Sequence, residues 1–297
     1  MTPSFLPDHN VLPSVSLEIL AADLRVAQVA VKIAGRGPLA ADPAVLGKLR
    51  GALGTDLHST ASLTVRSDQD CTWEPPCSYQ ALWRNNGEVR PGYPLPSPLV
   101  LETNAIGRDL WVTARLFGRG GDYLGEVSDA LIRGIRGGLS GVADPPLEVA
   151  DRHWAETVGI PIVRQKRLAI LKFITPVLSR NSATGDHAAP RALLRSLVHR
   201  VDGIARWNGM RLASDEAKRL LGLVVAVEGV WKDAEPDDWT RHSKPQDKSF
   251  DMQGLMGQLC LGGDLAPLSA LISLGELTFV GSRTAFGQGR YKIVSVV

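Results

Sequence analysis

Three glycines near the carboxyl end of this 297-residue chain, Gly281, Gly287 and Gly289, constrain its fold more than any other feature. Glycine lets the backbone take positive φ and lets another backbone or a ligand come close, and Arg283 and Arg290 stand among the three. A loop of this kind suits a polyanion. A Walker loop would need Lys-Ser/Thr after its last glycine and then a helix, and a dinucleotide fingerprint would need Gly-x-Gly-x-x-Gly between a strand and a helix. Gly287-Gln288-Gly289 fits neither, because Lys292 stands where a third glycine would fall and the alternating run to Val297 reads as a closing strand.

The order Val280-Gly281-x5-Gly287-x-Gly289-Arg290-Tyr291 resembles the C-terminal signature of the RAMP superfamily of CRISPR-associated proteins. It is most similar to the endoribonucleases that cut precursor CRISPR RNA into single guides. The resemblance runs from Arg50-Gly51-Ala52-Leu53-Gly54 to the end of the chain, and takes in the stretch from Leu116-Phe117-Gly118 to Gly141. Arg241, Ser243 and Gln246 match the family's Arg-x-Ser-x-x-Gln element. It implies an α+β fold of tandem ferredoxin-like (RRM-like) βαββαβ domains, the RAMP architecture. The implied partners are a CRISPR repeat RNA hairpin and guide RNA, with other CRISPR effector subunits beside them. The implied reaction is metal-independent and uses no cofactor: the ribose 2′-hydroxyl attacks the adjacent scissile phosphate within a repeat. A non-catalytic RAMP subunit that holds guide RNA in an effector complex is the alternative.

In that family the general base is commonly a His on or just after the first helix of the N-terminal domain, and His58 occupies that place here. Taken alone, it reads as a surface His capping a loop. Lys48 and Arg50, on the preceding helix, are the local candidates for stabilising charge on the phosphorane. Tyr79, His242 and Arg36 stand in reserve. For RNA binding, the resemblance and the loop's composition point to Gly281, Ser282, Arg283, Gly287, Gly289 and Arg290, joined by Arg241, Lys244 and Lys248.

The length suits two domains, 1–150 and 160–297. Their charges differ: 160–297 carries 19 Lys/Arg against 13 Asp/Glu, and 1–159 carries 14 against 18, which places polyanion binding in the second half. Three cysteines, Cys71, Cys77 and Cys260, are an odd number and argue against a disulfide framework, and no C-x2-C knuckle marks a metal site. No uninterrupted apolar run reaches membrane-spanning length and no signal-peptide pattern is present, so a soluble, cytoplasmic protein without membrane partners is expected.

Along the chain, 15–33 and 61–66 read as strands, and a helix starts at Asp42-Pro43 and closes at Gly54. The segment 67–98 is proline-rich and irregular, with Trp73, Tyr79, Trp83 and Tyr93 beside Arg84 and Arg90. A strand pair around 105–109 and a helix from Leu124 complete most of the first unit. In the second, 167–177 reads as strand, 190–207 as helix, 220–231 and 252–261 as strands and 266–274 as a short helix before the final strand.

Overall fold

The computed structural model describes residues 6, 11–42, 44–84, 87–90, 93–139, 147–178, 189–237, 240–243 and 248–296. The chain forms two compact units. Unit 1 contains Met1–Pro13, Leu24–Val158 and Ile204–Met210; unit 2 contains Ser14–Asp23, Gly159–Gly203 and Arg211–Val297.

The first elements are β1 (Ser14–Val15) and α1 (Leu17–Asp23), followed by β2 (Arg25–Ile33). Strand was expected throughout 15–33, but Leu17, Leu20 and Ala21 recur at helical spacing and are buried together. After β2 come α2 (Ala44–Ser59), α3 (Leu63–Arg66), α4 (Ser78–Leu82), β3 (Glu88–Arg90), β4 (Tyr93–Pro94), β5 (Leu99–Ile106), β6 (Asp109–Phe117), α5 (Leu124–Arg136) and β7 (Val149–Val158). The main sheet of unit 1 is antiparallel with order β5-β6-β2-β7. With α2 and α5 crossing it, this is one βαββαβ unit. Alternate residues Val29, Val31 and Ile33 of β2 and Leu110, Val112 and Ala114 of β6 share a core with Leu49 and Leu53 of α2 and Val127, Leu131 and Ile135 of α5.

Local chemistry explains the differences from expectation. The carboxylate of Asp42 accepts the Ala44 N–H at 2.8 Å, so α2 starts where predicted. Its end is not at Gly54: a Cβ there would lie 2.6 Å from Nε1 of Trp83, so this glycine serves a close packing contact and the helix continues one further turn. The segment 61–66 is helix, not strand, because the Ser62 hydroxyl accepts the Val65 N–H as an N-cap. No sequence signal marks β7. It is exposed along both faces from residue 150 to 158 and lacks alternation.

Unit 2 holds β8 (Leu168–Val177), α6 (Pro190–Trp207), β9 (Arg211–Leu212), α7 (Ser214–Ala226), β10 (Glu228–Asp237), β11 (Thr240–Ser243), β12 (Lys248–Asp251), β13 (Gly254–Gly262), α8 (Ser269–Thr278) and β14 (Tyr291–Val296). Its antiparallel sheet has order β10-β13-β8-β14. Read as β8, α6, β10, β13, α8, β14, this repeats the βαββαβ order, with α7 added and the β11–β12 hairpin inserted. The apolar run 220–231, expected as one strand, is split between α7 and β10. Asp215 and Glu216 sit in the first turn of α7, where the helix dipole favours them, and Ala217, Leu220 and Val224 form its buried stripe.

A single cut between 150 and 160 does not separate the units. β1 pairs in parallel with β9, the Leu17 N–H reaches the Glu216 carboxylate at 3.4 Å and the Ala21 carbonyl accepts the Ile160 N–H at 2.9 Å, so Ser14–Asp23 belongs to unit 2. Conversely, the indole of Trp207 donates to the Pro96 carbonyl at 2.9 Å and Arg206 donates to Glu88 and Val89, which ties the last turn of α6 to unit 1. Among the described residues no helix is long and apolar enough to cross a membrane.

Candidate functional site

In unit 1, His58 lies on the last turn of α2, half-buried. Its ring meets the ring of Tyr79 edge-on, with centroids 4.8 Å apart at 67°. Tyr79 in turn stacks on Trp83, 6.3 Å away and 16° from parallel, and Trp83 lies under the Arg50 guanidinium at 4.2 Å. The guanidinium of Arg84 stands 6.0 Å from the Tyr79 ring, pairs with Asp68 and donates to the Gln69 carbonyl at 2.9 Å. The irregular segment thus brings Tyr79 to the imidazole, with Trp83 and Arg84 against the Tyr79 ring.

Packing against two buried thiols holds Tyr79 there. Cys77 is the N-cap residue of α4, and its N–H donates to Sγ of Cys71 at 3.3 Å. Both thiols are buried with Ala61 and Val65, against which Tyr79 packs. Burial works against a Cys71 thiolate, but hydrogen bonds from the Cys77 and Trp73 backbones and the Ser62 hydroxyl outweigh it and hold that thiol below its ordinary value. Burial pushes the Cys77 thiol up. The Tyr123 hydroxyl donates to the Pro76 carbonyl at 2.7 Å and closes the loop from the other side.

Lys48 and Arg50 are not brought to His58. They precede it by ten and eight residues on one straight helix, which at 1.5 Å per residue is about 15 and 12 Å along the axis. Arg50 is buried, at 8% exposure, with its guanidinium over the Trp83 ring, while Lys48 is half-buried. The cation–aromatic contact fixes Arg50 as part of the packing of α2 on α4. Sequence spacing could not show this, because Trp83 lies 33 residues downstream of Arg50.

In unit 2, the C-terminal loop joins α8 to β14. Gly281, Gly287 and Gly289 all have positive φ, as expected. What approaches them is the chain's own backbone. A Cβ on Gly289 would lie 1.7 Å from the Val280 carbonyl oxygen, and one on Gly281 would lie 2.5 Å from that of Leu178. The N–H of Gly289 donates to Pro176 at 2.8 Å, that of Gly287 to Thr284 at 3.0 Å and that of Ser282 to Leu178 at 2.8 Å. The amides of Ser282, Gly287 and Gly289 are therefore engaged by the protein's own backbone. The hydroxyl of Thr175 donates to the Gly287 carbonyl at 2.7 Å and accepts the Arg290 N–H at 2.9 Å. The side chain of Arg290 is buried. Arg283 adopts the left-handed conformation and is half-buried, and its Nη1 has no hydrogen-bond partner among the described residues. Lys244 and the side chains of Arg241 and Lys248 lie outside the described residues, which show only that β11 and β12 pair as a hairpin. No three His, Cys, Asp or Glu side chains converge among the described residues.

A protein family described as CRISPR-associated endoribonuclease Cas6 is matched by a stretch of this chain that begins in β8 and ends on the first residue of β14. Residues 171–291 carry the Cas6 match. They include the whole C-terminal loop, so the resemblance to CRISPR RNA-processing endoribonucleases is borne out. Solved structures agree at the level of the fold. One Cas6 product complex is 16% identical with a TM-score of 0.57, covering 92% of this chain and 100% of that one. A second Cas6 product complex is 19% identical with a TM-score of 0.55, covering 91% and 100%. The Thermus thermophilus Cas6 is 16% identical with a TM-score of 0.51, covering 92% and 100%. The tandem ferredoxin-like architecture thus extends over both units. Comparison with curated proteins finds no match.

Proposed function

We propose that this chain cleaves precursor CRISPR RNA within its repeats, through attack of the 2′-hydroxyl on the neighbouring phosphate and without a metal ion. The observation that carries the reading is His58, an imidazole half open to solvent at the end of the first long helix of unit 1, its ring oriented by the edge of Tyr79. The Cas6 match in unit 2 supplies the substrate class. His58 takes the 2′ proton or delivers a proton to the departing 5′ oxygen. Lys48 stands too far along α2 to serve the same phosphate, and Arg50 is held against the face of Trp83. Arg84, in contact with Tyr79, is the cation that the cluster itself supplies for the crowded phosphorane. Unit 2 holds the repeat hairpin, with Arg283 and the β11–β12 hairpin as its contacts, and the product remains a partner as guide RNA.

The test is incubation of the repeat transcript in EDTA. The expected products end in a 2′,3′-cyclic phosphate and a 5′-hydroxyl. His58→Ala should cut about 10² to 10⁴ times more slowly at an unchanged Kd. Cutting at the wild-type rate would remove His58 from the reaction, and tight binding with no cut product from the wild-type chain would make it a guide-RNA holder.

A further inference from the structure

Two thiols that the proposed reaction does not use face each other in unit 1, beside the ring that orients His58. Cys71 and Cys77 are both buried, at 9% and 6% exposure, yet residues 72–75 between them are exposed, so the pair lies just under the surface. The Cys77 N–H donates to Cys71 Sγ at 3.3 Å. Burial opposes charge on both sulfurs. The Cys77 thiol also donates to Cys71 Sγ, which offsets that burial for Cys71 and adds to it for Cys77. Contacts without sulfur hold the two in place: Gln80 donates to the Asp70 carboxylate at 3.4 Å, and Arg84 donates to the Gln69 carbonyl at 2.9 Å and pairs with Asp68. The chain on either side of the thiols is thus drawn together before any covalent bond forms.

An odd cysteine count argues against a permanent framework, and Cys260 belongs to unit 2. A dithiol of unequal acidity is a different device. Oxidation starts at the sulfur held toward the thiolate, and a second sulfur in contact with it traps the product before it is oxidised further. Both conditions are met here within one surface loop, and the loop ends two residues before Tyr79.

We infer that Cys71 and Cys77 form a reversible modification site for hydrogen peroxide, and that their disulfide draws Tyr79 off His58. The Cys71 thiolate attacks one peroxide oxygen, the O–O bond breaks, and the hydroxide released takes up a proton and leaves as water. The Cys77 sulfur then attacks the Cys71 sulfur, gives up its proton and expels the sulfenic oxygen as a second water. The two sulfurs lose two electrons, which the peroxide gains. A disulfide needs its sulfurs about 2.0 Å apart, closer than a hydrogen bond between them allows, so the segment 71–77 must shift. Cys77 is the N-cap residue of α4, and Tyr79 lies in its first turn against the thiol cluster, so the ring moves with it. Only the effect on RNA cleavage rests on the role proposed for His58.

The experiment treats the full chain with a small excess of hydrogen peroxide, quenches it with catalase and counts thiols. Free thiols should fall from three to one, with peptide mass spectrometry joining Cys71 to Cys77 and leaving Cys260 free. The His58 imidazole should then react several-fold faster with diethyl pyrocarbonate, a readout that needs no RNA. Single-turnover cleavage of the repeat should slow about tenfold or more, and both changes should reverse with dithiothreitol, which does not restore oxidised methionine. Cys71→Ser removes the thiolate but keeps an acceptor for the Cys77 N–H, so peroxide should change neither its imidazole reactivity nor its own rate. The thiol count and its reversal in the wild-type chain decide the case even where that variant fails to fold. Should the chain cut no RNA, the proposed function falls, while thiol count and imidazole reactivity still judge this site. Three free thiols after peroxide, a bridge to Cys260, or a Cys71–Cys77 disulfide that leaves His58 reactivity unchanged would overturn the inference.

Discussion

Gly289→Ala tests whether the glycine loop is shaped by its own backbone. Gly289 has φ +74°, and a Cβ there would stand 1.7 Å from the Val280 carbonyl oxygen. No rotamer relieves this, because the clash is with backbone. The loop must open, losing the bond from Val280 N–H to Gly289 O at 3.0 Å and that from Gly289 N–H to Pro176 O at 2.8 Å. Left-handed backbone costs an L-residue about 1–2 kcal/mol and each hydrogen bond contributes about 1 kcal/mol, so the loss is about 3–4 kcal/mol. Gly209 provides the control: its φ is +73° and nothing lies within 4 Å of its Cβ position. Gly209→Ala should therefore cost only the conformational part, about 1–2 kcal/mol. Urea unfolding by circular dichroism, with hydrogen exchange at the Phe173 and Tyr291 amides, measures both. Losses equal to within about 0.5 kcal/mol would refute the steric argument.

Three further outcomes follow from described contacts. Tyr79→Phe keeps the ring edge against His58 and should leave single-turnover cleavage of the repeat within about threefold, while Tyr79→Ala should slow it about tenfold or more by freeing the imidazole. Two hydrogen bonds from Arg219 and one from the Leu17 N–H hold Glu216 below its ordinary 4.5. A carboxylate depressed in the folded state stabilises above its unfolded pKa, and that part is lost as pH falls through the folded value. The urea midpoint of Glu216→Gln should accordingly fall below wild type at pH 7 and converge with it below about pH 4. If Arg283 meets a phosphate of the hairpin, Arg283→Ala should reduce the salt slope of repeat binding by about 0.7–0.9; an unchanged slope excludes the contact.

The fold was legible where local pattern and tertiary demand agree. Asp42 before an apolar period, Leu124 to Ile135 on α5 and the alternation into β14 each state their element without help from the rest of the chain. It was illegible where a distant partner decides. Gly54 reads as a stop, but Trp83 needs the space its missing Cβ leaves. Val224 and Val225 favour strand, but acidic residues in the first turn and a buried stripe from Ala217 to Val224 favour helix and prevail. β7 buries too little to alternate. The same limit governs the site. The glycine loop could be located from its spacing, yet whether its amides face a ligand or the protein depends on Pro176 and Leu178, a hundred residues upstream. The neighbours of His58 were visible only as aromatics and arginines in an irregular stretch.

The exchange of short segments at each end of the boundary bears on how this protein can be dissected. No contiguous length of its gene encodes either half whole: a fragment starting at residue 160 would lack its opening helix, and one stopping at 159 would lack the turn that carries Trp207. Expression of the halves as independent pieces calls for circular permutation or co-expression of the missing peptide, and a deletion confined to residues 14–23 would injure the C-terminal body.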